Sequence, residues 1–200
     1  MGARTYDGLT ALARRAEALR PAETRTPGLF VLTDPDRTPD LVALAARLPR
    51  GCGLILRTFG RAEIEAAAFP LAEMARAEGL ALLIAADSGL ARRCGAAGVH
   101  WPQWALGRAV RPWPGALMTA SVHDPHALRR AERLADAVLV STVFPSASPS
   151  AGQPMGVFRL AAWARRSTAP VYALGGVDAR RVRRLAGLGI AGAAAIGAAQ

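Results

Sequence analysis

The sequence has no lysine and no asparagine, so all 25 of its basic side chains are arginines. This usage, with abundant alanine and glycine, reads as a coding bias. It makes the net charge of +10 and the pI near 11.4 a weak argument for a nucleic-acid partner. The arginines fall mostly as short pairs, such as Arg14-Arg15, Arg92-Arg93 and Arg165-Arg166, spread over expected helix faces. No aromatic-interleaved basic strip of the kind that holds single strands is present. Cysteine is scarce: Cys52 and Cys94 follow no metal or redox spacing, and two unpaired thiols suit a reducing cytoplasm. No apolar run reaches the roughly 18 residues of a membrane span. Met1 to Leu19 carries acids and arginines without an apolar core, so it does not read as a secretory signal.

What is present is a regular beat. The chain has 200 residues, 52% of them apolar and 20% charged, which suits one soluble domain with a good core. Strand signals recur at Leu29–Thr33, Gly53–Arg57, Leu80–Ala85, Gly98–Trp101, Ala116–Ser121, Ala137–Ser141, Val171–Leu174 and Ala191–Ile196. Amphipathic helix patterns separate most of them: Asp40–Arg47, Ala62–Glu78, Ser88–Cys94, Pro125–Leu134, Gly156–Arg166 and Asp178–Leu185. Trp104 to Pro114 is too broken by Gly and Pro for a helix. Eight strands alternating with helices predict an α/β chain folded as a single (β/α)8 TIM barrel, since a doubly wound sheet usually has five to seven. Tyr6–Leu19 reads as an extra N-terminal helix, with Leu9, Leu12, Ala13, Ala16 and Leu19 at helical spacing. The chain stops at Gln200, with no residues for an eighth outer helix after the last strand. The N-terminal helix is therefore expected to pack across strands 1 and 8. Residues 1–27 form this helix and linker, and residues 28–200 the barrel.

In such a barrel the functional groups stand at the C-terminal ends of the strands. Arg57 ends the second strand, an awkward place for a surface charge, and is a candidate anion ligand. His123 follows the fifth, where it could shuttle a proton or serve as a hydrogen-bonded scaffold. His100 reads as packed and His126 as solvent-exposed. Pro170 to Asp178 is an apolar run ending in Gly175-Gly176 with Asp178 as a helix cap, and Ala191 to Gly197 repeats the pattern, ending in Ile196-Gly197. Bare backbone N–H groups beside a helix start bind phosphate, and the loops after strands 7 and 8 commonly form that site. The Ser/Pro-rich loop from Phe144 to Gly152, with Ser146 and Ser148, is placed to reach a phosphate across the mouth.

These segments in this order resemble the thiamine phosphate synthase/TenI superfamily. The resemblance rests on Leu29–Asp34, Leu54–Arg57, Gly98-Val99-His100 with Gln103, Ser121-Val122-His123, Val143–Ser146, Ala173–Val177 and Gly192–Gly197. It implies a (β/α)8 barrel whose strand 7–8 backbone amides at Gly175, Gly176, Ile196 and Gly197 hold thiazole phosphate, with Ser121, Ser146 and Ser148 as further substrate ligands. Synthases of this family join an aminopyrimidine-methyl diphosphate to thiazole phosphate with Mg²⁺. TenI-like members tautomerise a thiazole carboxylate phosphate through a histidine after strand five, here His123.

The departures are as informative as the matches. Of the Gln-x-Arg-x-Lys pattern on strand two only Arg57 survives. The metal-binding Asp expected after strand three is displaced to Asp87, and a second acid gives way to Trp104-Ala105. The Thr-x-Thr-Lys loop becomes Ser146-Ala147-Ser148-Pro149, and no lysine elsewhere replaces the lost cations. Diphosphate departure needs its developing charge neutralised by metal and cations. Three readings follow: a divergent synthase needing Mg²⁺, with Asp87 as its metal candidate; a metal-free tautomerase using His123; and a non-catalytic barrel that binds a phosphate ester or regulates the pathway. The expected partner is a small phosphate ester of the thiazole phosphate class, in the cytoplasm. Nucleic acid and membrane are not expected, and a homodimer is compatible.

Overall fold

The computed structural model describes residues 3–35, 37–38, 40–146 and 152–196. Short apolar runs buried on both faces are what parallel strands need when helices cover the outside. The chain supplies them as β1 (Leu29–Leu32), β2 (Gly53–Leu56), β3 (Ala81–Ala85), β4 (Gly98–Trp101), β5 (Leu117–Val122), β6 (Ala137–Val140), β7 (Val171–Leu174) and β8 (Gly192–Ile196). Each pairs in parallel with the next and β8 pairs with β1, closing a (β/α)8 barrel. The outer layer holds α2 (Leu41–Arg47), α3 (Ala62–Ala77), α4 (Ser88–Cys94), α5 (Pro125–Ala131) and α6 (Val157–Ala164). Asp40, Asp87 and Asp124 cap α2, α4 and α5, each accepting an N–H three residues on.

The N-terminal helix α1 (Ala3–Glu17) lies against β1, β8 and the short 3₁₀ segment Arg181–Leu185, where sequence reasoning placed it. Its Leu9, Leu12, Ala13 and Ala16 are buried, whereas Leu19 is only partly so. Where an α-helix was expected over Asp178–Leu185, the chain forms that 3₁₀ turn instead. Asp178 Oδ1 accepts the Arg180 and Arg181 N–H groups at 2.8 and 2.7 Å, and Gly187 and Gly189, both at φ +73°, turn the chain toward β8. A second 3₁₀ segment spans Gln103–Arg108, overlapping the stretch from Trp104 that was expected to have no helix.

The interior is layered. At the N-terminal end Phe30 and Tyr172 meet edge to face, with centroids 5.4 Å apart. Glycine makes room for both rings: a Cβ on Gly53 would strike the Phe30 ring, and one on Gly192 the Tyr172 ring. The Tyr172 hydroxyl shares a 2.6 Å hydrogen bond with Thr26 Oγ1, and burial pushes the phenol up to about 12. Above this plug Leu32, Ile55, Leu83, Leu139 and Leu174 fill the barrel. No helix among the described residues is long and apolar enough to cross a membrane.

Candidate functional site

β1 and β2 stop one residue earlier than expected, at Leu32 and Leu56, which leaves Thr33 and Arg57 in the loops at the C-terminal mouth. There a cavity of about 600 Å³ opens, walled by residues from every strand end. Arg57 is fixed before any ligand arrives. Its Nε donates to the Thr33 carbonyl at 2.5 Å and its Nη2 to Asp34 Oδ2 at 3.0 Å. Burial pulls the guanidinium below its ordinary value, and the Asp34 carboxylate works against that pull. Such a group remains a cation at neutral pH. It also lies 5.1 Å from the Phe59 ring centroid. Phe59 takes an unusual φ of 51° and is 62% exposed, standing over the cavity from the β2 side.

The β4–β5 register sets His100 opposite Thr119 and builds a polar chain on the cavity floor. His100 Nδ1 lies 2.8 Å from Thr119 Oγ1, and Nε2 lies 2.8 Å from Ser121 Oγ. Burial first, and the Arg57 charge second, push His100 down from 6.5 to about 3. The ring is therefore neutral at pH 7, offering one donor and one acceptor to its two hydroxyl partners. Sequence reasoning took His100 as packed; it is packed, and it also orients Ser121.

His123 stands exposed on the rim, after β5. Its Nδ1 is 2.9 Å from Ser141 Oγ and 3.3 Å from the Ser141 carbonyl oxygen. Gln103 clamps the same turn, its Oε1 accepting the His123 N–H and its Nε2 donating to Asp124 Oδ2, both at 2.6 Å. The Ala127 N–H chiefly, and Gln103 in addition, hold the Asp124 carboxyl below its usual range. His126 is exposed, as expected.

On the opposite wall Gly175 and Ile196 line the cavity, together with Ser146. Gly176 is not among the residues lining the cavity. At φ +63° it packs on the loop after β6, where a Cβ would lie 2.7 Å from the Phe144 carbonyl oxygen. Arg181 Nη1 ties this junction by donating to the Gly176 carbonyl at 2.8 Å and the Pro145 carbonyl at 3.1 Å. Ser148 and Gly197, expected as ligands, lie outside the described residues.

Asp87 also lines the cavity, but its Oδ1 accepts the Leu90 N–H at 2.8 Å to start α4. Among the described residues no three His, Cys, Asp or Glu side chains converge to hold a metal. This donor set does not fit a carboxylate-held Mg²⁺. Trp104, where the family pattern places a second acid, is 73% exposed at the mouth, with Arg108 stacked 4.8 Å from its ring centroid. Sequence reasoning did not single out Phe59 or Thr119; the β4–β5 alternation was the one available signal, for Thr119.

A closed parallel eight-stranded barrel with polar side chains gathered at its C-terminal mouth defines the (β/α)8 class. The sequence profile of the TMP-TENI family, thiamine monophosphate synthase, matches residues 29–199, and the chain belongs to that family. Among solved structures it resembles a thiamine phosphate pyrophosphorylase from Pyrococcus furiosus at 21% identity and TM-score 0.67, over 90% of this chain and 87% of that one. A thiamine phosphate pyrophosphorylase from Bacteroides thetaiotaomicron is similar at 17% identity and TM-score 0.54, over 85% and 83%. A glycerol uptake operon antiterminator regulatory protein from Listeria monocytogenes shares the fold at 12% identity and TM-score 0.52, over 88% and 94%. No curated protein sequence matches the chain significantly.

Proposed function

We propose that this barrel binds a heterocyclic phosphate ester of the thiazole phosphate class at its mouth and moves a proton on the ring through His123. The observation that carries the reading is the pairing of His123 Nδ1 with Ser141, at 2.9 Å to the hydroxyl and 3.3 Å to the carbonyl oxygen. A ring proton kept on Nδ1 for the Ser141 carbonyl leaves Nε2 as the base. Tautomerisation asks for no more than this: one proton leaves a carbon of the heterocycle, the double bond shifts, and one proton returns at the conjugated position. No oxidant or leaving group is involved. Gly175 and Ile196 offer backbone to the phosphate, and Arg57 supplies a fixed cation across a cavity of about 600 Å³. The two free cysteines are buried, which suits a cytoplasmic setting.

The test is conversion of a thiazole carboxylate phosphate followed by NMR, with thermal shift as the binding readout. His123→Ala is expected to lower turnover on the order of 10²-fold or more while the ester still raises the melting temperature. Unchanged turnover in that variant would refute the assignment. Family membership favours a second reading, a divergent synthase using Arg57 and Ser121. Mg²⁺-dependent stabilisation by the pyrimidine diphosphate would select it.

A further inference from the structure

The end of the barrel opposite the mouth carries its own cavity, of about 760 Å³. It lies between α1, the linker into β1 and the turns that lead into β2 and β3. Its floor is apolar, with Ala13, Leu29, Cys52 and Leu80 buried beneath it. Its rim holds Arg14, Arg20, Arg25 and Arg50, against a single acid among the described lining residues, Glu17.

That acid is already engaged. Glu17 Oε1 takes the Arg20 Nε at 2.5 Å, and Oε2 accepts the Gly28 N–H at 3.2 Å. Arg20 Nη1 donates to the Thr24 carbonyl at 2.7 Å, so this pair staples the linker to α1. Among the described lining residues no further acid offsets the charges of Arg14, Arg25 and Arg50. Arg50 has a built position. Its guanidinium lies across Gly79, where a Cβ would come within 2.9 Å of Cζ, and Nη1 donates to the Ala77 carbonyl at 3.3 Å. The Cys52 thiol is pushed up to about 11, by burial first and Glu17 second, so the floor stays neutral.

We propose that this groove is a second binding site, for a phosphorylated small molecule with an apolar or aromatic body, of the nucleotide class. Guanidinium forks match phosphate oxygens in pairs, and a neutral apolar floor suits a ring. The volume is that of a small-molecule site. Among the described residues no histidine lines the groove, and its one carboxylate, Glu17, is engaged with Arg20 and Gly28.

The experiment is calorimetric titration of the full chain with ATP and, separately, inorganic pyrophosphate, at about 0.15 M salt. ATP is expected to bind below about 1 mM, and more tightly than pyrophosphate. Arg14→Gln/Arg50→Gln should weaken it about tenfold or more, with Arg25→Gln as a second, single variant acting in the same direction. These arginines are exposed, so folding, checked by circular dichroism, is expected to persist. Thiazole phosphate binding at the mouth should be unchanged in all variants. No ATP binding to the unmodified chain, or full binding by the double variant, would overturn the site. Pyrophosphate binding as tight as ATP would overturn the role given to the apolar floor.

Discussion

His100 sets a measurable pH dependence of stability. It is 2% exposed, its two ring nitrogens are taken by Thr119 and Ser121, and the Arg57 charge adds to the burial that keeps it neutral. The unfolded chain takes up a proton at this histidine as the pH falls below 6.5, whereas the folded chain does so only near 3. Between those values the unfolded state binds more protons, so stability present above pH 6.5 is lost as the pH falls. A full unit of differential protonation costs about 1.4 kcal/mol, and the span from 6.5 to 4.5 therefore costs about 2 kcal/mol. Against a total of about 5–15 kcal/mol for an ordinary domain, that loss is large. His100→Gln retains a donor and an acceptor between the hydroxyls but cannot titrate. It should begin less stable than the parent at pH 7 and lose about 2–3 kcal/mol less on going to pH 4.5. Urea unfolding followed by tryptophan fluorescence at pH 7, 6, 5 and 4.5 gives both curves, and the carboxylates contribute equally to each. Parallel curves would refute the reasoning, since His100 would then titrate alike in both states.

Two further outcomes follow from buried geometry. Tyr172→Phe removes the phenol that Thr26 Oγ1 meets at 2.6 Å in a buried setting and should cost about 1–3 kcal/mol in urea unfolding. Retained stability would mean that the hydroxyl pair contributes nothing. Gly176→Ala forces an L side chain to φ +63° and into the Phe144 and Pro145 carbonyls, so a loss of about 1–3 kcal/mol from the backbone conformation alone is expected, read as a lower melting temperature.

The barrel was legible because most strands are short apolar runs that stop at a residue of a different kind: Thr33 and Arg57 after β1 and β2, glycine after β7. Helix existence followed from the same alternation, whereas the caps at Asp87 and Asp124 emerged only in the structure. The 3₁₀ turn at Arg181–Leu185 was not legible, because Val182 and Leu185 satisfy helical and 3₁₀ spacing alike, and the choice is made by Asp178 and the two later glycines. At the site, Arg57 and His123 could be picked out by their place at strand ends. The His100–Thr119–Ser121 chain could not, because it depends on register between β4 and β5, which a single sequence does not state. The groove at the other end gathers Arg14, Arg25 and Arg50 from three separated segments, and in an arginine-rich chain none of them stands out alone.

The aromatic pair at the base of the barrel has a consequence for traffic. Phe30 and Tyr172 are fully buried, and Gly53 and Gly192 yield their space to the two rings. No solute can pass from one end of this barrel to the other along its axis. A molecule held at the mouth enters and leaves by the same door, and anything bound at the opposite end shares walls with it but no solvent.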